Sequence, residues 1–377
     1  MQRLASFACA ASVAVMVIGC SSSDEATSGE GGNGATPPAT SSGGPPGTTT
    51  EKPATCTPTP IAEVAPLANA VLIDASADAK GPLFLVRPPN TQRALHIVRP
   101  DGERKVLAEA NAATGALARR SDGTVCAAWG SEGDDATVKY ACGPDFSVVD
   151  TKVKLQVKPD GPLAFFEEAD ASAVLFMGKF SSLDGAFRTG STWADADVME
   201  SSISLAGSTR ALSGAKAGSP YCWIANHKTA IVESWLEGGS AYTWGSLDFG
   251  TGGSVDRCAV AISGSTLGVL VNGGGKAKFA TAPIVGQFAS PLVEETFDAA
   301  DVKSASLVAD KDGFAIVHST SAGAVRSVRK GSGVWDVSPI SLPGGSAPEN
   351  VIVARENGRE HIVVRAGSAT YYQSSCN

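Results

Sequence analysis

The chain has 377 residues, with 38 Asp and Glu against 30 Lys and Arg for a net charge of -8, and a pI near 5.1. That balance excludes nucleic acid as a partner, because phosphate backbones are held by concentrated Lys and Arg. Single hydrophobic cores stop growing at ~250–300 residues, so a chain of this length requires two domains or one repeat architecture.

The chain begins with Met1-Gln2-Arg3, one positive charge, followed by an unbroken apolar and small-residue run from Leu4 to Ile18. This is the charged n-region and apolar h-region of an export signal. The run is short of the ~20 apolar residues that span a bilayer, and a polar Gly-rich tract follows it. It ends in Val17-Ile18-Gly19-Cys20, which resembles the lipobox of bacterial lipoproteins. The resemblance implies that residues 1–19 are cleaved as a signal peptide and that Cys20 carries a thioether-linked diacylglycerol on an acylated amino terminus. The thiol is the nucleophile in that attachment. Two or more acyl chains anchor a protein stably where one does not. Ser21, rather than Asp, follows Cys20, and by the same resemblance this directs the protein to the outer membrane of the cell envelope.

Residues 21–55 contain no Val, Ile, Leu, Met, Phe, Trp, Tyr or Cys. Such a segment has nothing with which to build a core. A flexible Gly/Ser/Thr chain of this length has an r.m.s. span of about 30–35 Å. Residues 20–55 are therefore expected to be a tether that starts at the cysteine the lipobox resemblance implies is lipidated, and residues 56–377 the foldable domain.

Seven short units recur through that domain, each an extended segment, a tight turn and a second extended segment rich in Val, Ile, Leu and Phe. The turn pairs are Lys80-Gly81, Asp122-Gly123, Asp170-Ala171, Asn226-His227, Ser263-Gly264, Asp312-Gly313 and Asn357-Gly358. Such pairs suit the positive φ angles of hairpin turns. Their second members are spaced by 42, 48, 56, 37, 49 and 45 residues, within the range of known propeller blades. Third and fourth extended segments follow several hairpins, such as 136–142 and 146–153, or 323–331 and 334–342. An all-β fold is expected, a β-propeller of seven four-stranded blades; six or eight blades, or tandem β-sandwiches, are the alternatives. The last unit lacks room for a fourth strand after Gly358, and residues 60–67 are expected to supply it.

Removing Cys9 with the signal and Cys20 to lipid leaves six cysteines, an even count that suggests disulfides in an exported protein. Closure of the last blade by the amino-terminal segment places Cys56 near Cys376, and the two are expected to pair. Cys126 and Cys142 fall on the second and third strands of one blade, where a local bridge is expected. Cys222 and Cys258 fall on the first strands of consecutive units and are expected to bridge two blades.

The chain carries few signatures of chemistry. The histidines His96, His227, His318 and His361 are scattered, there is no GxSxG serine elbow, and Gly273-Gly274-Gly275 before Lys276 lacks the spacing of a phosphate-binding loop. Asp310-Lys311-Asp312-Gly313 faintly resembles the calcium loops of integrin-type propellers but supplies too few oxygens for Ca²⁺. Ser121-Asp122-Gly123-Thr124 departs from the sialidase Asp-box, with Asp and Gly adjacent and Trp129 too distant. No catalytic residue, metal or cofactor is expected.

The loops after the second and fourth strands of each blade are the expected ligand face. Its candidates are Trp129, Asp134, Asp135, Trp193, Asp195, Asp197, Trp235, Glu237 and Trp244, with residues 194–220 as a flap. Exposed tryptophans stack on sugars or anchor partner proteins, although each also suits packing between blades. The expected protein is a monomeric, membrane-anchored envelope lipoprotein whose propeller binds a glycan or an envelope protein without catalysis. A glycoside hydrolase or lyase on the same fold is the alternative.

Overall fold

Strand sequences in this chain fall into two kinds, and the difference follows from what covers them. Second strands read as continuous apolar runs, as in Leu83-Phe84-Leu85-Val86, all four at most 2% exposed. Both faces of such a strand must therefore be covered by neighbouring sheets. Outer strands alternate or are largely exposed: Val334–Ile340 shows Val334 and Val337 at 65% and 60% exposure. Pro339 in that strand removes one donor from an edge that would otherwise template further pairing.

The computed structural model describes residues 58–377 except 92, 134–135, 156–162, 168–170, 178–182, 196–207, 210–219, 226–227, 236–240, 249–254, 256, 286–287, 290, 298, 311–312, 331–332, 357 and 377. Among them there are seven sheets and no α-helix. Sheet I comprises Val71–Asp78, Gly81–Arg87, Leu95–Val98 and Arg104–Ala108; sheet II comprises Ala112–Arg119, Val125–Ser131, Thr137–Cys142 and Val149–Lys154. Sheet III is built from Leu163–Glu167, Ala171–Met177, Leu183–Thr189 and Thr192–Asp195, and sheet IV from Pro220–Ala225, Thr229–Trp235 and Ala241–Asp248. Sheet V holds Arg257–Ser263, Thr266–Gly273 and Gly275–Val285, with short strands Phe288–Ala289, Val293–Glu295 and Ala300–Val302 on the third. Sheet VI runs Ser304–Asp310, Gly313–Thr320, Gly323–Lys330 and Val334–Ile340. Sheet VII contains Asn350–Glu356, Arg359–Ala366 and Ala369–Cys376, and its outer strand is the amino-terminal Thr59–Glu63.

Each of the seven expected units is the first hairpin of one sheet. The turns themselves shift by a residue in places. Gly81 already pairs with Asp78, so residues 79–80 make that turn. Ser263 pairs with Thr266 around Gly264-Ser265, with Gly264 at φ +59°. The expected closure is present, with Thr59 opposite Ser374 and Glu63 opposite Tyr371.

The core lies between sheets rather than within one layer. Leu85, Leu95 and Ile97 of sheet I meet Val125, Ala127 and Trp129 of sheet II. Tyr140 and Val138 of sheet II meet Phe165 and Val174 of sheet III. Equivalent layers join sheets IV and V, V and VI, and VI and VII. Ile352 and Val363 of sheet VII pack with Phe84 and Val86 of sheet I, returning to the start of the domain. Ser208–Thr209 runs parallel to the first strand of sheet V and contacts the first strands of sheets III and IV. Sheets stacked face to face in this succession give a β-propeller-like architecture rather than two sandwiches.

The first strands run side by side in the same direction, and their cross-links repeat at nearly constant spacing. Val351 N donates to Ser304 Oγ (3.3 Å), Val353 N to Ser306 Oγ (3.1 Å), and Ser263 Oγ to the Asp310 carbonyl (2.8 Å). Each of these links is 47 residues long in sequence, one repeat of the hairpin spacing. Two disulfides have the expected pairing. Cys126–Cys142 joins directly opposed residues of the second and third strands of sheet II. Cys222–Cys258 links the first strands of sheets IV and V, with Cα atoms 6.2 Å apart. Cys376 is also disulfide-bonded; its expected partner Cys56, like Cys20, lies outside the described residues.

Candidate functional site

First strands that converge side by side leave a space along their common axis. It is a cavity of about 390 Å³, bordered by residues of the first strands of sheets I, II, III, V, VI and VII, among them Asp74, Arg119, Glu167, Arg257, Ser306 and Arg355. The first-hairpin turns gather at one end of these strands. The loops after second strands, including Ser321-Ala322 and Gly367-Ser368, lie at the other.

Among the described residues, several carboxylates along and beside the cavity are held by defined partners. Asp74 accepts the backbone N–H groups of Ala75 and Leu117, each at 2.9 Å. Asp310 pairs with Arg355 at 2.6 Å, and Glu356 with Arg119 at 3.3 Å. Burial raises the Glu356 carboxyl above its ordinary range, opposed by Arg119. Asp78 forms a two-pronged pair with Arg99.

Glu167 is the most elaborated of these groups. It ends the first strand of sheet III at 2% exposure. Its Oε1 accepts Arg120 Nη2 and Nε at 2.6 and 2.9 Å, Arg188 Nη2 at 2.6 Å and the Tyr140 hydroxyl at 2.8 Å. Arg120 and Tyr140 belong to the sheet II side and Arg188 to sheet III, so one carboxylate ties two sheets together. Tyr140 ionisation is pushed up by burial and by the Glu167 charge. Cys126, Cys142 and Glu167 also bring three metal-ligating atoms within 4.8 Å. Both sulfurs are in the disulfide, however, and it is a free thiolate that binds metal.

The described histidines are strand residues. His96, His318 and His361 are 3%, 6% and 1% exposed, and burial lowers the proton affinity of all three. His361 falls to about 4, with Arg359 and Arg119 adding to the effect of burial. Its Nδ1 is 2.8 Å from the Tyr372 hydroxyl, and the two rings stack. His227 lies outside the described residues.

The expected ligand-face residues have several fates. Trp129 is 2% exposed in the core between sheets I and II and presents no surface to a ligand, a correction to its placement on that face. Its strand is covered on both sides, so every large side chain on it becomes packing. Trp193 is half-buried against Tyr140, with ring centroids 5.2 Å apart and nearly edge-to-face. Asp195 is exposed where the fourth strand of sheet III runs toward the loop end. Trp235 ends the second strand of sheet IV and Trp244 lies in its third. Asp134, Asp135, Asp197 and Glu237 lie outside the described residues, as does most of the expected flap.

Sequence reading missed the inter-sheet ion pairs Arg120–Glu167, Arg355–Asp310, Arg326–Glu360 and Arg329–Glu295. A signal for two of them was present. Arg120 and Glu167 are 47 residues apart, and Asp310 precedes Arg355 by nearly the same interval, so opposite charges sit one repeat apart where first strands adjoin.

No family model matches the chain, and no curated protein matches it. Among solved structures it is similar to KlHsv2 with loop 6CD replaced by a Gly-Ser linker, with TM-score 0.48, 13% identity, and coverage of 78% of this chain and 89% of that one. A protein of unknown function from Dyadobacter fermentans gives 0.47 at 8% identity, covering 84% and 99%. An Aleuria aurantia lectin mutant in complex with Fucalpha1-6GlcNAc gives 0.44 at 12% identity, covering 74% and 98%. These TM-scores are all below 0.5, and the fold described above rests on strand order, register and inter-sheet packing.

Proposed function

We propose that the protein is a lipid-anchored component of the bacterial cell envelope whose folded domain is a seven-bladed β-propeller that binds a glycan or an envelope protein without catalysing a reaction. Seven sheets among the described residues, whose first hairpins recur at the spacing of the cross-links between first strands, support that blade count. Anchoring rests on the lipobox resemblance at Val17-Ile18-Gly19-Cys20 and on the apolar-free tether behind it.

The observation that carries the non-catalytic reading is the state of four carboxylates around the channel among the described residues. Asp74, Asp310, Glu167 and Glu356 are held by backbone amides or arginines. Glycoside hydrolysis requires one carboxyl to protonate the leaving group and a second to act as base or nucleophile, both open to substrate. Four carboxylates engaged in holding sheets together support a structural use of the channel wall, and leave binding to the loop end.

Two measurements test the reading. Radiolabelled palmitate should enter the wild-type protein and not Cys20→Ala, which should be released into the aqueous phase; a Cys20→Ala protein still partitioning into detergent would overturn anchoring. The soluble Cys20→Ala chain, applied to purified cell-wall glycans and to arrayed envelope proteins, should be retained by one class without releasing reducing sugar. Release of new reducing ends, absent from a heat-denatured control, would overturn the non-catalytic reading.

A further inference from the structure

The Cys126–Cys142 and Cys222–Cys258 disulfides have opposite surroundings. Cys222 and Cys258 are 0% and 2% exposed, packed among Val232, Val260, Leu267 and Val269 of sheets IV and V. That bond joins two sheets. Cys126 and Cys142 instead join strands that already pair: Gly143 N donates to the Val125 carbonyl at 2.9 Å on one side, and Ala127 stands opposite Ala141 on the other. Opening this disulfide leaves the two strands bonded through their backbones.

Its sulfurs also have polar company. Cys126 is fully buried, whereas Cys142 is half-buried where its strand reaches the hairpin-turn end, and the exposed Pro144 and Asp145 follow it. Arg120 Nη2 donates to Cys142 Sγ at 3.4 Å, and the Tyr140 hydroxyl oxygen is 2.5 Å from the same sulfur. Burial and the Glu167 charge keep that hydroxyl protonated. Among the described residues, the charged groups facing the pair are Arg120 in contact, Glu167, and Arg188, which holds Glu167 from sheet III. Because Arg188 shares Glu167, the carboxylate does not take up the charge of Arg120 alone. Asp122 is exposed and accepts the Thr124 N–H instead. A cation beside a sulfur favours its thiolate, and a sulfur of lower proton affinity leaves faster in exchange.

We propose that Cys126–Cys142 is a site of thiol–disulfide exchange, opened by a dithiol that reaches Cys142 from the hairpin-turn face. One thiolate of the dithiol attacks Cys142 Sγ, the accessible sulfur. A mixed disulfide forms there, the Cys126–Cys142 bond breaks, and Cys126 leaves as a thiolate that takes a proton from water. The second thiol of the dithiol then gives its proton to water and attacks its own sulfur in the mixed disulfide, expelling Cys142 as a thiolate beside Arg120. Two electrons pass to the protein, and the reductant becomes a disulfide. The site is independent of lipidation at Cys20 and of any partner at the loop end.

The test holds the folded, full-length chain in dithiothreitol at pH 7 without denaturant. Aliquots are quenched in acid, freed of reductant, unfolded and alkylated, and the modified cysteines are mapped by mass spectrometry. Cys126 and Cys142 should open at least tenfold faster than Cys222 and Cys258, with far-ultraviolet circular dichroism unchanged. Equal rates, earlier loss of Cys222–Cys258, or reduction only as the native spectrum is lost would overturn the proposal. In the reduced, folded protein, the pH profile of Cys142 alkylation should lie at least one unit below the free-cysteine value of about 8.5. Arg120→Gln should return that profile to the ordinary value and slow opening several-fold. An ordinary profile in the wild type would overturn the role given to Arg120. If Arg120→Gln does not fold, the wild-type rate ratio and pH profile decide the matter by themselves.

Discussion

Replacing Glu167 with Gln should destabilise the domain far more than its nearly unchanged shape suggests. The side chain is fully buried and its Oε1 accepts four donors, two from Arg120, one from Arg188 and one from Tyr140. Arg188 is 9% and Arg120 19% exposed at the side chain, so neither guanidinium can turn fully to water once the carboxylate is gone. Removing one partner of a buried ion pair costs about 3–5 kcal/mol, mostly because the remaining charge is left uncompensated. Urea unfolding at pH 7 should show that loss as a lower midpoint with an unchanged slope. The double variant Glu167→Gln/Arg188→Met should recover part of it, giving a coupling of roughly 0.5–3 kcal/mol, the range for residues in one network. A single-variant loss under 1 kcal/mol, or purely additive losses, would refute the assignment of Glu167 as the link between sheets II and III.

Three further outcomes are expected. His361 is held near 4 in the fold by burial and by Arg359 and Arg119, against about 6.5 when unfolded. The unfolded chain therefore binds the extra proton first, and stability present above pH 6.5 is lost as pH falls toward 4, by up to about 3 kcal/mol. Unfolding free energies at pH 7, 5.5 and 4.5 should fall less steeply in His361→Gln than in wild type; parallel profiles would dismiss this group. Gly268→Ala places a methyl carbon 2.6 Å from the Phe314 ring of sheet VI, and such overpacking should cost about 1–3 kcal/mol, read as a lowered Tm; no change would mean the sheet V–VI contact is looser than described. Replacing Cys222 and Cys258 together by Ala opens a link spanning 36 residues, worth about 4 kcal/mol in the chain-entropy account. A midpoint shift near zero would contradict that link, while peptide mapping without reduction should recover Cys126–Cys142, Cys222–Cys258 and, for the remaining pair, Cys56–Cys376.

The amino-acid sequence by itself determined what depends on neighbours along the chain or on a fixed period. Turn pairs and β-branched runs specify hairpins locally, and their recurrence near 46 residues specifies a repeated sheet. The want of a last outer strand, with a matching segment at residues 60–67, specified closure and hence Thr59–Glu63 beside Ala369–Cys376. Three hairpin turns, those closed by Asp78 and Gly81, Ser263 and Thr266, and Asp310 and Gly313, fall one residue from the expected pair because several adjacent pairs satisfy the same turn geometry equally well, and cross-strand packing chooses among them.

Tertiary structure alone decided which polar and aromatic side chains meet water. Trp129 follows Val125-Cys126-Ala127-Ala128 in a strand enclosed on both faces, so a residue suited to a ligand face became core, while Trp193 turned onto Tyr140. The arginine–carboxylate links likewise depend on how the end of one first strand sits against the next, a distance across sheets that no local pattern encodes. Hydrogen bonding along the chain sets strands and turns. Burial between separate sheets sets the identity of the surface, and that requires all seven to be in place.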